Sequence, residues 1–337
     1  MNRASLPSVL LPERIVLDKI WGGRTLTARL GLAQARVGET WDCFDRGAGS
    51  SARIRNLADT TLHDLLESQR DAVLGAADVD AYGRFPLMLK LLDATEWLSL
   101  QVHPDDALAV ELAAERCAAV DKAGDTGKTE AWVVLDARDD AELVCGFRGS
   151  VADLIEAARR HAVDKSMLET LRARRGDVIA IRPGTVHAVG AGYLLYEIQQ
   201  NSDITLRLYD WGRVGDDGKP REVHLDASAR AIERAAESAA SVQAKVVVES
   251  EGVELLVANS CFELRRIDLR APRTLDLDGA FALVTPVEGA CVVDRTLLGD
   301  LETGLVCAAR GRVALRPAAG AATMLVATAA VSRPSIV

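Results

Sequence analysis

The sequence of 337 residues lacks the patterns that mark several classes of protein. No dense block of lysine and arginine occurs, and the formal net charge is −9, so we expect no general binding to nucleic acid or to an anionic membrane surface. No apolar run reaches the roughly 18 residues that span a bilayer. Pro7 and Pro12 interrupt the apolar stretch near residue 1, so we expect no secretory signal and a cytoplasmic protein.

Cysteine is also sparse, and its spacing is uninformative. The six cysteines form no C-x-x-C pair, which argues against a disulfide framework or a thiolate zinc site. We expect them to be small buried hydrophobic residues.

The length favours two domains, and the pattern within them is mainly β. Glycine and proline divide the chain into short segments rich in valine, isoleucine, leucine and threonine, as in a β-sandwich or jelly roll. Apolar residues three or four apart predict helices only over 61–69, 106–119 and 151–173, the last broken near Asp164. An Ala/Ser-rich stretch at 229–245 predicts a boundary. We therefore expect a site-bearing domain at 1–240 with helical insertions near 106–119 and 151–173, and a smaller β domain at 241–337.

Two polar side chains share one face of a predicted strand before residue 104. In LSLQVHPDD, Gln101 and His103 are two residues apart, and Pro104 ends the strand, so the imidazole lies at the strand mouth. Such a histidine is either a hydrogen-bonded interior residue or a metal ligand. The other histidines outside apolar strands, at 63, 161 and 224, are expected to be solvated or capping.

A carboxylate and a second imidazole begin two further apolar strands. Glu130 heads the strand in GKTEAWVVL; it is either paired with Lys128 at the surface or buried beside a cation. His187 follows the Pro183-Gly184 turn and is flanked by apolar residues. With His103 and the Gln101 carbonyl, these side chains form a nitrogen and oxygen set suited to Zn²⁺ or another divalent first-row ion.

The segment from 192 to 213 predicts a hairpin that turns at 201–202. Glu197 and Arg207 lie within its apolar strands, where they form either a cross-strand ion pair or part of a substrate pocket. Arg213 and Lys128 are cations that can bind a phosphate, or ordinary solvated charges.

These motifs together resemble one enzyme family. QVHPDD, GKTE, PGTVHA and EIQQNSDITLRLYDWGR are similar to the type I mannose-6-phosphate isomerases, especially their compact bacterial branch, and DKIWGG, GETWDC and FPLMLKLLDA support the match. The resemblance runs from about residue 18 to 226. The interval between His103 and Glu130 and the stretch beyond residue 245 depart from the family pattern.

The resemblance implies a cupin-type jelly roll with helical insertions and a second, smaller β-sandwich at the C-terminus. It also implies one zinc ion, or another divalent ion, bound by His103, Glu130, His187 and Gln101. The family's active-site arginine falls on Arg207. The implied reaction interconverts mannose 6-phosphate and fructose 6-phosphate.

This reaction moves a proton between neighbouring carbons through an enediolate. Glu197, Lys128 or a metal-bound water is the base, Arg207 stabilises the enediolate, and Arg213 with Lys128 binds the phosphate. The expected partner is a small sugar phosphate, and the expected assembly is a monomer or homodimer. A catalytically silent sugar-phosphate-binding cupin and an iron-dependent cupin oxygenase are the alternatives.

Overall fold

A computed structural model describes residues 6–34, 36–115, 117, 124–214, 218–235, 243–331 and 334–336. Within these residues the chain is mainly β, which confirms the predicted class. The strands are β1 (Val9–Leu10), β2 (Ile15–Leu17), β3 (Glu39–Cys43), β4 (Leu87–Ala94), β5 (Leu100–Val102), β6 (Glu130–Ala137), β7 (Leu143–Phe147), β8 (Leu168–Leu171), β9 (Val178–Ile181), β10 (His187–Val189), β11 (Tyr193–Gln200), β12 (Leu206–Tyr209), β13 (Val247–Ser250), β14 (Val253–Ala258), β15 (Phe262–Leu269), β16 (Arg273–Asp276), β17 (Ala282–Glu288), β18 (Cys291–Val293), β19 (Thr296–Leu298), β20 (Gly304–Val306), β21 (Arg312–Pro317), β22 (Ala322–Ala329) and β23 (Ser335–Ile336).

Helices are fewer and short. They are α1 (Thr25–Leu30), α2 (Leu62–Leu74), α3 (Asp106–Ala114), α4 (Val151–Arg159) and α5 (Leu225–Ala235), with 3₁₀ turns at Lys165–Met167 and Ala308–Arg310. None of these helices combines the length and hydrophobicity needed to cross a membrane.

The chain divides into two compact units. The first contains Met1–Ile15, Trp41–Lys90 and Lys245–Val337. Its seven-stranded sheet has the order β1-β20-β17-β22-β15-β14-β13, and a five-stranded sheet has the order β19-β18-β21-β16-β23. Side chains from both sheets, such as Ile267, Val284, Val293 and Leu315, form one buried core, so this unit contains the expected smaller β-sandwich.

The second unit contains Val16–Thr40 and Leu91–Ala244. It holds a five-stranded sheet, β12-β5-β10-β7-β8, and strands of the six-stranded sheet β2-β3-β4-β11-β6-β9. Trp132, Leu195 and Ile179 from one sheet share a core with Leu143 and Val189 from the other. The two sheets therefore pack face to face, as in a jelly roll.

Helices cover the outer face of the five-stranded sheet. Leu100 and Val102 on β5 pack in one cluster with Leu108 on α3, Leu154 on α4 and Ile232 on α5. Because successive side chains of a strand alternate between its two faces, Gln101 between these leucine and valine residues lies on the inner face.

Three expectations of local structure need correction. The predicted hairpin at 201–202 is wrong, since β11 pairs with β6 and β12 pairs with β5 in the other sheet. The chain changes sheets between β11 and β12, and Ser202 in this connection is buried and donates through Oγ to the Thr126 carbonyl at 2.8 Å.

The second piece of the predicted helix over 151–173 is also wrong. Helix α4 ends at Arg159, and residues 168–171 form β8. Leu168 pairs with Phe147 and Leu171 with Leu143 on β7, so strand pairing overrides the local helical pattern.

Helix α2 is kinked at Gln69, the predicted end, where φ is −143° and ψ is 34°, and helical structure then continues five residues further to Leu74. It begins with a capping box between Thr61 and Asp64 and ends before Gly75. The predicted helix over 106–119 is described as α3 up to Ala114, and most of its remainder lies outside the described residues. The predicted domain boundary between 240 and 241 also lies outside them and stays a prediction.

Candidate metal centre

Neighbouring strands of the five-stranded sheet align a row of polar side chains. His187 on β10 is directly opposite Gln101 on β5, and Gln101 is directly opposite Arg207 on β12. Residues opposite each other in an antiparallel pair project from the same face. The pairing therefore places an imidazole, an amide and a guanidinium side by side on the inner face.

Two more side chains join His187. His103 follows the end of β5, and Glu130 is the first residue of β6 in the facing sheet. Ligand atoms of His103, Glu130 and His187 all lie within 4.8 Å of one another. Nε2 of each histidine is 3.5 Å from an oxygen of Glu130, His103 from Oε2 and His187 from Oε1. The three residues are fully buried, with exposures of 0%, 1% and 0%.

Several polar atoms of this group lack hydrogen bonds, as ligands of a cation would. Both ring nitrogens of His103 and both carboxylate oxygens of Glu130 are buried without a hydrogen bond in the described part of the chain. Lys128 Nζ is 2.9 Å from Oε2 of Glu130, but this contact is an ion pair without hydrogen-bond geometry. Unsatisfied buried polar groups cost free energy, and a metal ion bound by one ring nitrogen of His103 and by Glu130 would remove part of that cost.

The protonation states also suit a metal site. Burial, followed by the charge of Lys128, lowers the pKa of His103 to about 3, and burial lowers the pKa of His187. Burial raises the pKa of Glu130, but the charge of Lys128 and the two histidines outweigh it and hold this pKa well below its ordinary value. At neutral pH the group therefore offers two neutral imidazoles and one carboxylate, the forms that bind metals.

A backbone carbonyl orients one of the ligands. Nδ1 of His187 is 2.8 Å from the Thr185 carbonyl oxygen. Because a carbonyl only accepts, Nδ1 carries the proton and Nε2 is left with its lone pair toward Glu130.

Gln101 is adjacent to the same point. Its Nε2 is 3.1 Å from Nε2 of His187, while Ser99 Oγ donates to its Oε1 at 3.3 Å. A half turn of the amide exchanges its nitrogen and oxygen. Gln101 can then offer an oxygen to a cation held by the other three residues.

Lys128 and Glu197 lie against the metal-ligating group. Lys128 Nζ is 3.8 Å from Oε1 of Glu197, and Trp132 Nε1 donates to Oε2 of Glu197 at 3.0 Å. Both side chains are buried. Lys128 is therefore a buried cation between two carboxylates, Glu130 and Glu197. Of the two alternatives for Glu130, the surface pair with Lys128 is excluded because both side chains are buried.

Arg207 and Arg213 lie on and just after β12. Arg207 Nη1 donates to the Glu222 carbonyl at 2.7 Å, while its buried Nε has no hydrogen bond within the described residues. Arg213 bonds to the Asp210 carboxylate and to the Trp97 carbonyl. The strands bring Arg207 beside Gln101, and a cross-strand pair between Arg207 and Glu197 does not form because β11 and β12 are in different sheets.

Three residues of this region were not expected from the sequence. Asp210 binds both Arg213 and Arg221, and His224 accepts the backbone N–H of Arg207 through Nδ1 at 3.1 Å. His224 is thus half-buried against β12 rather than solvated. The only local signal was the charge-rich segment DDGKPREVH, which does not reveal its contacts.

The two sheets, with imidazoles and a carboxylate converging between them, define a cupin-type jelly roll with a candidate metal site. The family model "Phosphomannose isomerase type I, catalytic domain" matches residues 13–150. Mannose-6-phosphate isomerase ManA of Bacillus subtilis is 32% identical over 280 residues, 81% of this chain and 83% of the relative. The probable mannose-6-phosphate isomerase GmuF of the same organism is 35% identical over 227 residues, 66% of this chain and 68% of the relative.

A solved structure agrees with these relatives. The crystal structure of the mannose 6-phosphate isomerase from Bacillus subtilis superimposes with a TM-score of 0.82 at 27% identity, covering 95% of this chain and 99% of that one. The chain belongs to the type I mannose-6-phosphate isomerase family.

Proposed function

We propose that this protein interconverts mannose 6-phosphate and fructose 6-phosphate with the help of one divalent metal ion, Zn²⁺ being the first candidate. The observation that carries the proposal is the buried group of His103, Glu130 and His187, in which both ring nitrogens of His103 and both oxygens of Glu130 have no hydrogen bond within the described residues. Its occurrence in a chain of the type I mannose-6-phosphate isomerase family identifies the reaction.

His103, Glu130 and His187 would hold the ion, with the Gln101 oxygen as a fourth ligand. Two imidazoles and a carboxylate are the ligand types that zinc prefers at catalytic sites, and an amide oxygen is a further oxygen ligand. When bound, a divalent ion supplies Lewis-acid stabilisation of negative charge on sugar oxygens.

Glu197 and Lys128 are the candidates for moving the proton between the two carbons. A general base must reach the carbon-bound proton and return it to the neighbouring carbon. Glu197 is buried and oriented by the indole N–H of Trp132, which suits a carboxylate that accepts and then donates a proton. Lys128, 3.8 Å from Glu197, can protonate a developing oxyanion or hold a hydroxyl of the substrate.

Arg207 and Arg213 complete the proposed substrate site. Arg207 shares a face with Gln101 and His187 and has a buried Nε without a hydrogen bond in the described part of the chain, which supports a role for it in stabilising the enediolate. Arg213, together with Lys128, would bind the phosphate.

The remaining expectations follow from this function. The substrate is a small sugar phosphate in the cytoplasm, and the assembly is a monomer or homodimer. The catalytic domain would comprise 1–240 with the smaller β domain at 241–337, and limited proteolysis between the two would test this division.

A turnover assay tests the proposal directly. Purified enzyme is treated with a chelator, reloaded with Zn²⁺ or Fe²⁺, and incubated with mannose 6-phosphate while fructose 6-phosphate is measured. We expect formation of the ketose after metal loading and loss of it after chelation. Binding of mannose 6-phosphate without any ketose, in metal-loaded enzyme, would instead identify a silent binding protein and contradict the proposal.

A further inference from the structure

A buried carboxylate holds two arginines at the end of β12. Asp210 is only 7% exposed. Arg221 donates to both of its oxygens, from Nε to Oδ2 at 2.7 Å and from Nη2 to Oδ1, and Arg213 donates from Nη2 to Oδ1. Arg213 also donates through Nε to the Asp210 carbonyl at 3.2 Å. Asp210 therefore fixes the directions of two guanidinium groups.

An unusual turn sets this arrangement. Trp211 and Gly212 have φ values of 58° and 72°, and the Arg213 N–H donates to the Asp210 carbonyl at 3.0 Å. Left-handed backbone is unfavourable for a residue with a Cβ. Trp211 is held there because its indole N–H donates to the Leu98 carbonyl at 2.7 Å. Such strain persists where the surroundings impose it, often at functional sites.

The segment that carries Arg221 is also attached to Arg207. The Glu222 carbonyl accepts from Nη1 of Arg207 at 2.7 Å, and His224 exchanges hydrogen bonds with the Arg207 backbone at 3.1 and 2.8 Å. Residues 221–224 thus lie along β12 and bring a third guanidinium beside the two expected from the sequence.

The arginine cluster, which consists of Arg207, Arg213 and Arg221 around Asp210, has an excess of positive charge and unused N–H donors. Asp210 pairs with Arg213 and Arg221, and the charges of Asp210 and the exposed Glu222 also act on Arg207. Within the described residues Arg221 uses two of its five N–H donors, both on Asp210, and its side chain is 28% exposed. These properties suit a phosphate dianion, which takes several charge-assisted hydrogen bonds.

The cluster is within reach of the metal centre. Arg207 is two strands from His187 in the same sheet, about 10 Å by the usual strand spacing. A substrate whose reacting carbons lie near His187 can therefore extend its phosphate toward β12.

We propose that Arg221 binds the phosphate of the sugar phosphate together with Arg213, and that Asp210 is the positioning residue that orients both. This inference rests on the proposed function for the identity of the substrate, but not for the existence of the anion site. The opposing interpretation is that Asp210, Arg213 and Arg221 form only a structural ion-pair cluster.

The first experiment removes the charge of Arg221. In Arg221→Met we expect KM for mannose 6-phosphate and the inhibition constant of inorganic phosphate to rise about tenfold or more, the usual weight of a charge-assisted hydrogen bond. We expect kcat to change by less than about threefold, because the reacting carbons are elsewhere. Arg230→Met is the matched control, since Arg230 on α5 also forms two ion pairs, with Glu111 and Glu115, at 34% exposure; it should change neither constant.

The second experiment separates orientation from charge. Asp210→Asn removes a negative charge, which by itself would strengthen phosphate binding. If Asp210 orients the two arginines, phosphate binding weakens instead, about tenfold, in a variant of the same size as the wild type. Tighter or unchanged phosphate binding in Asp210→Asn would refute the positioning role.

Calorimetric binding of inorganic phosphate distinguishes failure of this inference from failure of the proposed function. Circular dichroism first confirms that each variant is folded, and Arg221→Gln replaces Arg221→Met if the latter is not. Wild-type enzyme that binds phosphate through Arg221 but produces no ketose would contradict the isomerase function and leave the anion site standing. Phosphate affinity and KM that are unaltered in the folded Arg221 variant would overturn the inference.

Discussion

Substituting Gly184 with alanine adds one methyl group to the turn beside the candidate metal centre and tests how tightly that turn is packed. Gly184 has φ +78°, and a Cβ there would lie 2.1 Å from Ala235 Cβ and 2.6 Å from the Ala231 carbonyl oxygen of α5. Its N–H donates to the His103 carbonyl at 2.8 Å, and His187 follows three residues later. Helix α5 therefore packs closely against the turn that is hydrogen-bonded to His103 and precedes His187.

We expect Gly184→Ala to lower the free energy of unfolding by about 2–4 kcal/mol. The left-handed backbone costs a residue with a Cβ about 1–2 kcal/mol, partly offset by the lower entropy of the unfolded chain. The overpacking against α5 adds about 1–3 kcal/mol. Urea unfolding of the metal-free protein, followed by far-UV circular dichroism, measures the change, and zinc affinity measured alongside should also fall.

Gly149→Ala is the matched control. Gly149 lies in the same unit with φ +86°, and its nearest contact would be Asp153 Oδ2 at 3.8 Å, an ordinary separation. This variant carries the backbone cost of about 1 kcal/mol without the clash. Equal losses in the two variants would show that α5 does not constrain the turn and would refute the reasoning.

Other perturbations test the individual roles. His187→Ala should weaken metal binding by more than about 100-fold and abolish turnover; stoichiometric metal in the purified variant would contradict its role as a ligand. Arg207→Ala should lower kcat by about 10²–10³ with metal content unchanged, and wild-type turnover would remove its catalytic role. Glu197→Gln should lower kcat by about 10²–10⁴; if Lys128 is the base instead, the loss will be much smaller. Without metal, the free energy of unfolding should fall as pH drops from about 6.5 toward 3. The reason is that His103 binds a proton in the unfolded chain over this range but not in the folded chain, where burial lowers its pKa to about 3. Urea midpoints at pH 7 and pH 5 measure the decrease, which should be smaller in His103→Gln.

The sequence predicted site residues where a polar side chain interrupts the apolar pattern of a strand. His103, Glu130 and His187 each interrupt or begin an apolar strand, so burial of a polar group could be inferred before its partners were known. Their meeting depends on strands far apart in the chain, and only the family resemblance made it an expectation.

Features that depend on long-range pairing could not be read in this way. The alternation around Glu197 and Arg207 is the same whether β11 and β12 pair with each other or with β6 and β5. Similarly, nothing next to Asp210 or Arg221 indicates that they bind each other, because the segment between them is polar and without periodicity. The structure supplies the partners, which periodicity alone does not specify.

The row of His187, Gln101 and Arg207 has a consequence for how this protein can change in length. Strand β5 has only three residues, and a shift by one position would turn Gln101 outward and point Leu100 or Val102 inward. Adding or deleting one residue in β5 should therefore be far more damaging than replacing a side chain there, whereas the connecting segments can vary in length without changing which side chains meet.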